Sequence, residues 1–117
     1  MTPEAKVKKK VVEQLKKLGA YYFYPMSHGY GKSGVPDIVG CYNGKFFGIE
    51  CKAKGNKPTP LQQKNLQDIT KNGGIAMVVD EKNIDQVSPV LKDDGYLIMN
   101  TSGIYTHVPR QKPKLEL

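Results

Sequence analysis

The fold of this chain is decided by residues 34–54, which read Gly34-Val35-Pro36-Asp37-Ile38-Val39-Gly40-Cys41-Tyr42, Asn43-Gly44, then Lys45-Phe46-Phe47-Gly48-Ile49-Glu50-Cys51-Lys52-Ala53-Lys54. Asn-Gly between two apolar runs is the strongest short signal for a two-residue β-hairpin turn, because both central residues must take positive φ. With Asn43 and Gly44 at the turn, Tyr42 faces Lys45, Cys41 faces Phe46, Val39 faces Gly48 and Asp37 faces Glu50. Opposed residues of an antiparallel pair share a face, and Lys52, two residues beyond Glu50, falls on that face as well. One hairpin therefore gathers two carboxylates and an ammonium. Ile38, Ile49 and Phe47 form its opposite face and predict a covering helix layer.

Working outward, residues 3–18 predict a helix with Thr2 as N-cap, Pro3 in the first position and Gly19 as C-cap. Its apolar stripe is Val7, Val11, Leu15 and Leu18, with Lys8, Lys9, Lys16 and Lys17 mostly off it. One turn back along the stripe stands Glu4, an acid where an apolar residue would continue the pattern. Residues 20–25 read as an aromatic strand and residues 26–34 as a glycine-rich loop. The hairpin strands are expected at 36–42 and 45–53, followed by a polar turn at 54–58. Thr59, Pro60 and Gln62 form the capping-box start of a second helix that runs to about Asn72 and is ended by Gly73 and Gly74. Ile75 to Val79 is fully apolar and reads as a buried strand parallel to the Glu50 strand, joined to it through the second helix. Residues 85–91 suggest a short third helix, with Pro89 the objection, and residues 96–99 and 104–108 a closing hairpin. The order α, three strands, α, strand makes an α/β or α+β fold with a mixed central sheet flanked by helices. A single domain is expected over residues 1–108, with 109–117 a flexible tail.

The 117 residues carry a net charge of +7 and a pI of about 9.4, almost all of it from lysine. Such a charge suits a polyanion such as nucleic acid, or merely a solubilising surface. No apolar run approaches a membrane span, and the basic start lacks the apolar core of a signal peptide, so a cytoplasmic protein is expected. Cys41 and Cys51 do not face each other in the hairpin register and read as ordinary reduced cysteines.

Two carboxylates opposed across a hairpin repel each other, so one should take up a proton unless something compensates. A bound Mg²⁺ or Mn²⁺, hard cations that favour oxygen ligands, removes the conflict. The plainer alternative is that Lys52 and Lys54 neutralise the acids as a surface cluster. Glu4 has its own plain reading as a complement to the helix dipole, and Gln62 as the closing member of the capping box. In the 26–34 loop, Lys32, Ser33 and backbone N–H groups suit contact with a phosphate backbone, whereas His28 reads as a polar surface residue. Gly31-Lys32-Ser33 is not a Walker A loop, because Met26 stands where that motif needs glycine. Tyr21 to Tyr24 alternate between core and surface, and His107 reads as structural.

Val35-Pro36-Asp37 followed by Ile49-Glu50-Cys51-Lys52 resembles the PD-(D/E)xK signature of restriction-endonuclease-like nucleases. The wider pattern is similar to the VRR-NUC family within that group. Glu4 with Val7, Val11, Leu15 and Gly19 resembles its opening helix. Gly34 to Asp37 resembles its G-x-P-D, and Glu50 to Gly55 its E-x-K strand and turn. Thr59 to Gln62 and Gly73 to Val79 resemble its Gln-bearing helix and the strand after it. The resemblance covers about residues 4–92 and implies a restriction-endonuclease-like αβββαβ core. It implies a Mg²⁺- or Mn²⁺-dependent DNA endonuclease whose cleavage leaves a 5′-phosphate. Asp37, Glu50 and the Cys51 backbone carbonyl would hold the metal, Lys52 would activate the attacking water, and Glu4 and Gln62 would assist. Lys32, Ser33, Lys54 and Lys57 are the expected nucleic-acid contacts. A small stand-alone domain of this kind is implied to act as a homodimer on a four-way (Holliday) junction or other branched DNA, and short chains of the type resemble phage-encoded versions. The rival expectations are a non-catalytic nucleic-acid-binding or interaction domain on the same fold, and a nuclease directed at RNA.

Overall fold

A computed structural model of the chain describes residues 1–26, 31–92, 95–99 and 105–109, the last two segments as backbone. Helix α1 spans Pro3–Leu18. Its N-cap is Thr2, whose side chain accepts the Ala5 N–H at 3.1 Å, and its C-cap is Gly19 in the left-handed region. Strands follow at Tyr21–Phe23 (β1), Ile38–Tyr42 (β2) and Lys45–Cys51 (β3), each shorter than the sequence expectation. The turn between β2 and β3 has Asn43 at φ 49° and Gly44 at φ 81°, the double positive φ for which Asn-Gly is suited. Helix α2 covers Pro60–Lys71 with the full capping box, and β4 covers Ile75–Val79. A 3₁₀ turn at Ile84–Gln86 leads into α3, Val87–Lys92. Pro89 is compatible with this helix because it falls in the first turn, where its missing N–H has no intrahelical partner to lose. A separate antiparallel pair, Gly95–Met99 (β5) and Tyr105–Pro109 (β6), closes the described chain. The loop residues 27–30, with His28, the side chain of His107 and the tail after Pro109 lie outside the described residues.

The main sheet has the order β1-β2-β3-β4. β1 and β2 pair antiparallel, β2 and β3 pair antiparallel in the predicted register, and β3 and β4 pair parallel through α2. This is the expected α+β fold with a mixed sheet. Ile38, Phe47, Ile49 and Cys51 of the hairpin join Ile75, Met77 and Val79 of β4 on one face. Val7, Val11, Val12 and Leu15 of α1, with Val87, Val90 and Leu91 of α3, cover that face. Leu18, predicted on the buried stripe, packs at the rim. α2 covers the opposite face, where Gly48 leaves room for Ile69 and Pro36. β1 is a sheet edge: Tyr22 packs inward while Tyr21 and Phe23 stay exposed, the expected alternation, and Tyr24 beyond the strand end is exposed too.

Candidate active site

The site forms where the hairpin ladder stops. Pairing of β2 with β3 runs from Tyr42↔Lys45 to Ile38↔Ile49 and ends there. In the same register Asp37 would next face Glu50, and the next hydrogen-bonded pair would be residue 36 with Cys51. Pro36 has no N–H to give, so the ladder cannot continue. Instead the Asp37 carboxylate turns sideways, and its Oδ2 accepts the Cys51 N–H at 2.8 Å. On the other side of β3, the Lys52 N–H donates to the Val79 carbonyl at 2.9 Å, which keeps β3 anchored to β4 past the fork. The two strands thus part while the backbone beneath the acids stays hydrogen-bonded.

Glu50, adjacent in register, is only 1% exposed. Its Oε2 lies 3.3 Å from Lys52 Nζ. Its Oε1 is buried with no hydrogen-bond partner among the described residues. A buried, unpartnered carboxylate oxygen is costly unless a ligand or a proton satisfies it. Burial, and secondarily the Asp37 charge, push the Glu50 carboxyl up to about 7 despite the opposing pull of Lys52. Glu4, in the exposed first turn of α1, completes the cluster: Glu4, Asp37 and Glu50 each offer a carboxylate oxygen, and these lie within 4.8 Å of one another. Three acids from a helix, a loop and a strand thereby meet at one point, with one lysine beside them. Such a donor set of oxygens, one of them orphaned, fits a divalent cation.

The other predicted site residues divide. The Cys51 thiol faces the core, and burial, with Asp37 and Glu50 nearby, pushes it up out of the range of thiolate chemistry; only its main chain belongs to the site. Gln62 sits in the first turn of α2 and closes the capping box, its Oε1 accepting the Thr59 N–H at 2.9 Å. Lys32 is exposed on the rim of a cavity it shares with Phe46 and Asn65, whereas Lys54 lines a different cavity, against α1. Ser33 and Lys57 are exposed.

Asn65 was not anticipated. It is 6% exposed, and its Nδ2 donates to the Ser33 carbonyl at 3.1 Å and to the Leu61 carbonyl at 2.9 Å. It ties the loop that delivers Asp37 to α2. Gly34 makes that approach possible: it has φ 75°, and a Cβ there would stand 2.6 Å from Leu61 Cγ. The available signal was a polar residue beside Leu66 on the inward stripe of α2. Gln14 has a similar stitching role between α1 and α3, donating to the Ile84 carbonyl at 2.7 Å and accepting from the Ser88 N–H and hydroxyl at 3.2 and 3.0 Å.

The chain is thus a three-layer α+β domain in which three acids converge at a strand fork beside a lysine. A phage protein named "Putative nuclease p44", from Acyrthosiphon pisum secondary endosymbiont phage 1, is 33% identical over 89 residues, 75% of this chain and 94% of its own length. A solved structure described as a VRR_NUC domain superposes with a TM-score of 0.62 at 27% identity, covering 79% of this chain and 97% of its own. A second, described as a VRR_NUC domain protein, has the same fold at a TM-score of 0.59 and 23% identity, covering 79% and 87%. No protein-family model matches the sequence. The chain belongs to the VRR-NUC family of nucleases.

Proposed function

We propose that this protein is a metal-dependent endonuclease of PD-(D/E)xK type that hydrolyses DNA phosphodiester bonds. The observation that carries the reading is the buried Glu50 Oε1, left without a partner among the described residues inside a three-carboxylate cluster. Repelling acids at the end of an otherwise apolar sheet have no structural benefit and invite a cation. Asp37, Glu50 and Glu4, with the Cys51 backbone carbonyl, are the groups that would hold Mg²⁺ or Mn²⁺. Such an ion polarises the scissile phosphate and acidifies water.

The remaining steps belong to the chain itself. Lys52, held by Glu50 at 3.3 Å, orients the attacking water and offsets negative charge as the phosphorus becomes pentacoordinate. Asp37 is fixed by the Cys51 N–H, so its second oxygen is presented at a constant angle. Gln62, at the N-terminus of α2, lies where the helix dipole favours phosphate, and its amide assists in orienting the substrate. The basic surface, including Lys32, Ser33, Lys54 and Lys57, holds the nucleic acid through phosphates, without sequence preference.

We favour selectivity for shape over sequence, with branched DNA cut by a homodimer as the substrate and assembly. Among the described residues no helix is long and apolar enough to cross a membrane. The phage relative supports a cytoplasmic, phage-linked enzyme. The test is nicking of plasmid and of four-way-junction DNA with Mg²⁺, Mn²⁺ or EDTA. Cleavage that requires the ion and disappears in Asp37→Ala is expected. Binding without cleavage, indifferent to Asp37→Ala, would instead make this a non-catalytic nucleic-acid-binding domain.

A further inference from the structure

A cavity of about 340 Å³ opens between the first turns of α1 and the turn that follows β3. Among the described residues its floor is apolar, from Val7 and Ile84, and its walls carry Lys6, Lys10 and Lys54 against a single carboxylate, Glu81. Lys6 and Lys10 are one helical turn apart and so present themselves on the same side of α1. Lys54 sits in the left-handed region at φ 54°, followed by Gly55 at φ 74°. That turn is clamped from outside: the Lys54 N–H is shared by both Glu81 oxygens, at 3.1 and 3.3 Å. Main-chain hydrogen bonds, that of Lys54 among them, hold Glu81 below the usual carboxylate range, so it stays ionised. Three like charges around one concavity repel one another, and one acid leaves the lining cationic.

Both walls are direct continuations of the elements that carry the carboxylate cluster. Lys6 follows Glu4 on α1 by two residues, and Lys54 follows Lys52 beyond β3 by two. The cavity and the carboxylate cluster are therefore built on the same two elements, the first turns of α1 and the end of β3.

The geometry points to a subsite for one backbone phosphate of the nucleic acid, flanking the cleaved linkage and held by Lys6, Lys10 and Lys54. The inference rests on the nuclease reading above and extends it to α1, whose lysines carry no role in that reading. The subsite positions the strand: it holds the phosphate next to the scissile one, so that the latter reaches Asp37 and Glu50 in one register.

The test is binding of fluorescein-labelled four-way-junction DNA by the full chain in EDTA, followed by anisotropy across a salt series. Lys6→Ala/Lys10→Ala is expected to weaken binding about tenfold and to flatten the log–log salt slope by about 1, the signature of one lost phosphate contact. Lys16→Ala/Lys17→Ala removes the same charge from the far end of α1 and is expected to leave the slope unchanged. Glu81→Gln keeps an acceptor for the Lys54 N–H but removes the opposing charge, so binding is expected to tighten two- to fivefold. Damage to the fold cannot produce that sign. If the two lysine pairs weaken binding alike, or Glu81→Gln weakens it, the subsite is refuted. Should that happen while the wild-type chain still cleaves with Mn²⁺, the nuclease reading survives without the subsite. If the expected binding pattern appears but no ion restores cleavage, the phosphate subsite stands and the hydrolytic reading falls.

Discussion

Replacing Glu50 by glutamine is expected to stabilise the metal-free protein above neutral pH while abolishing cleavage. An ordinary glutamate carboxyl titrates near 4.5, and burial beside Asp37 raises that of Glu50 to about 7. Because the folded value lies above the unfolded one, the protonated side chain is favoured in the fold. Its stability contribution is fully present below about pH 4.5 and is lost as pH rises towards 7. Ionising Glu50 inside the fold therefore costs about 3 kcal/mol, fully developed by pH 8. Glutamine has nearly the same shape and never ionises, so Glu50→Gln avoids that cost. For a domain of this size about 3 kcal/mol corresponds to about 10 °C in Tm. The assay is thermal unfolding followed by circular dichroism, with EDTA, from pH 4.5 to 8.5. The two proteins should nearly coincide at the acid end and diverge to about 10 °C at pH 8, the variant higher. Adding Mg²⁺ or Mn²⁺ should close the gap by raising the wild type alone. Parallel Tm–pH profiles, or a variant less stable at pH 8, would refute the account of Glu50 as an acid held at a cost.

Lys52→Ala should abolish plasmid nicking yet leave DNA affinity in EDTA within about twofold, because a single lysine at the centre acts on charge that develops during the reaction rather than on docking of the strand. Saturating divalent ion, at about a hundred times its Kd, should stabilise the wild type by about 2.7 kcal/mol in a thermal melt and leave Asp37→Ala unmoved. Asn65→Leu should lower nicking while retaining a cooperative melt, since it frees the Ser33 carbonyl and with it the Asp37 loop; unchanged activity would remove Asn65 from the site's support. Gly34→Ala should destabilise by about 1–3 kcal/mol in urea unfolding, because φ 75° and the approach of Leu61 at 2.6 Å both oppose a Cβ.

Local rules made much of this molecule readable. Thr2, Pro3 and Gly19 set the ends of α1, and Thr59, Pro60 and Gln62 the start of α2, because capping depends on side chains within a few residues. Asn43-Gly44 set the hairpin register, which put Asp37, Glu50 and Lys52 together before any tertiary contact was known. What local rules could not supply was the depth of the site. The expected strand ends at residues 36 and 53 extend past the observed ones because the ladder gives way to a carboxylate bond at Cys51, a choice between two acceptors for one N–H.

From sequence alone came the order of elements, the facing of the two hairpin acids with their lysine, and the odd placement of Glu4 on an apolar stripe, all consequences of periods of 2 and 3.6 residues. Only the packed chain decided that Glu4 reaches those acids, that one oxygen of Glu50 is buried without a partner among the described residues, and that Asn65 holds the loop in place. These depend on how far α1 and α2 slide over the sheet before their side chains lock, and that distance is set by packing between segments remote in sequence.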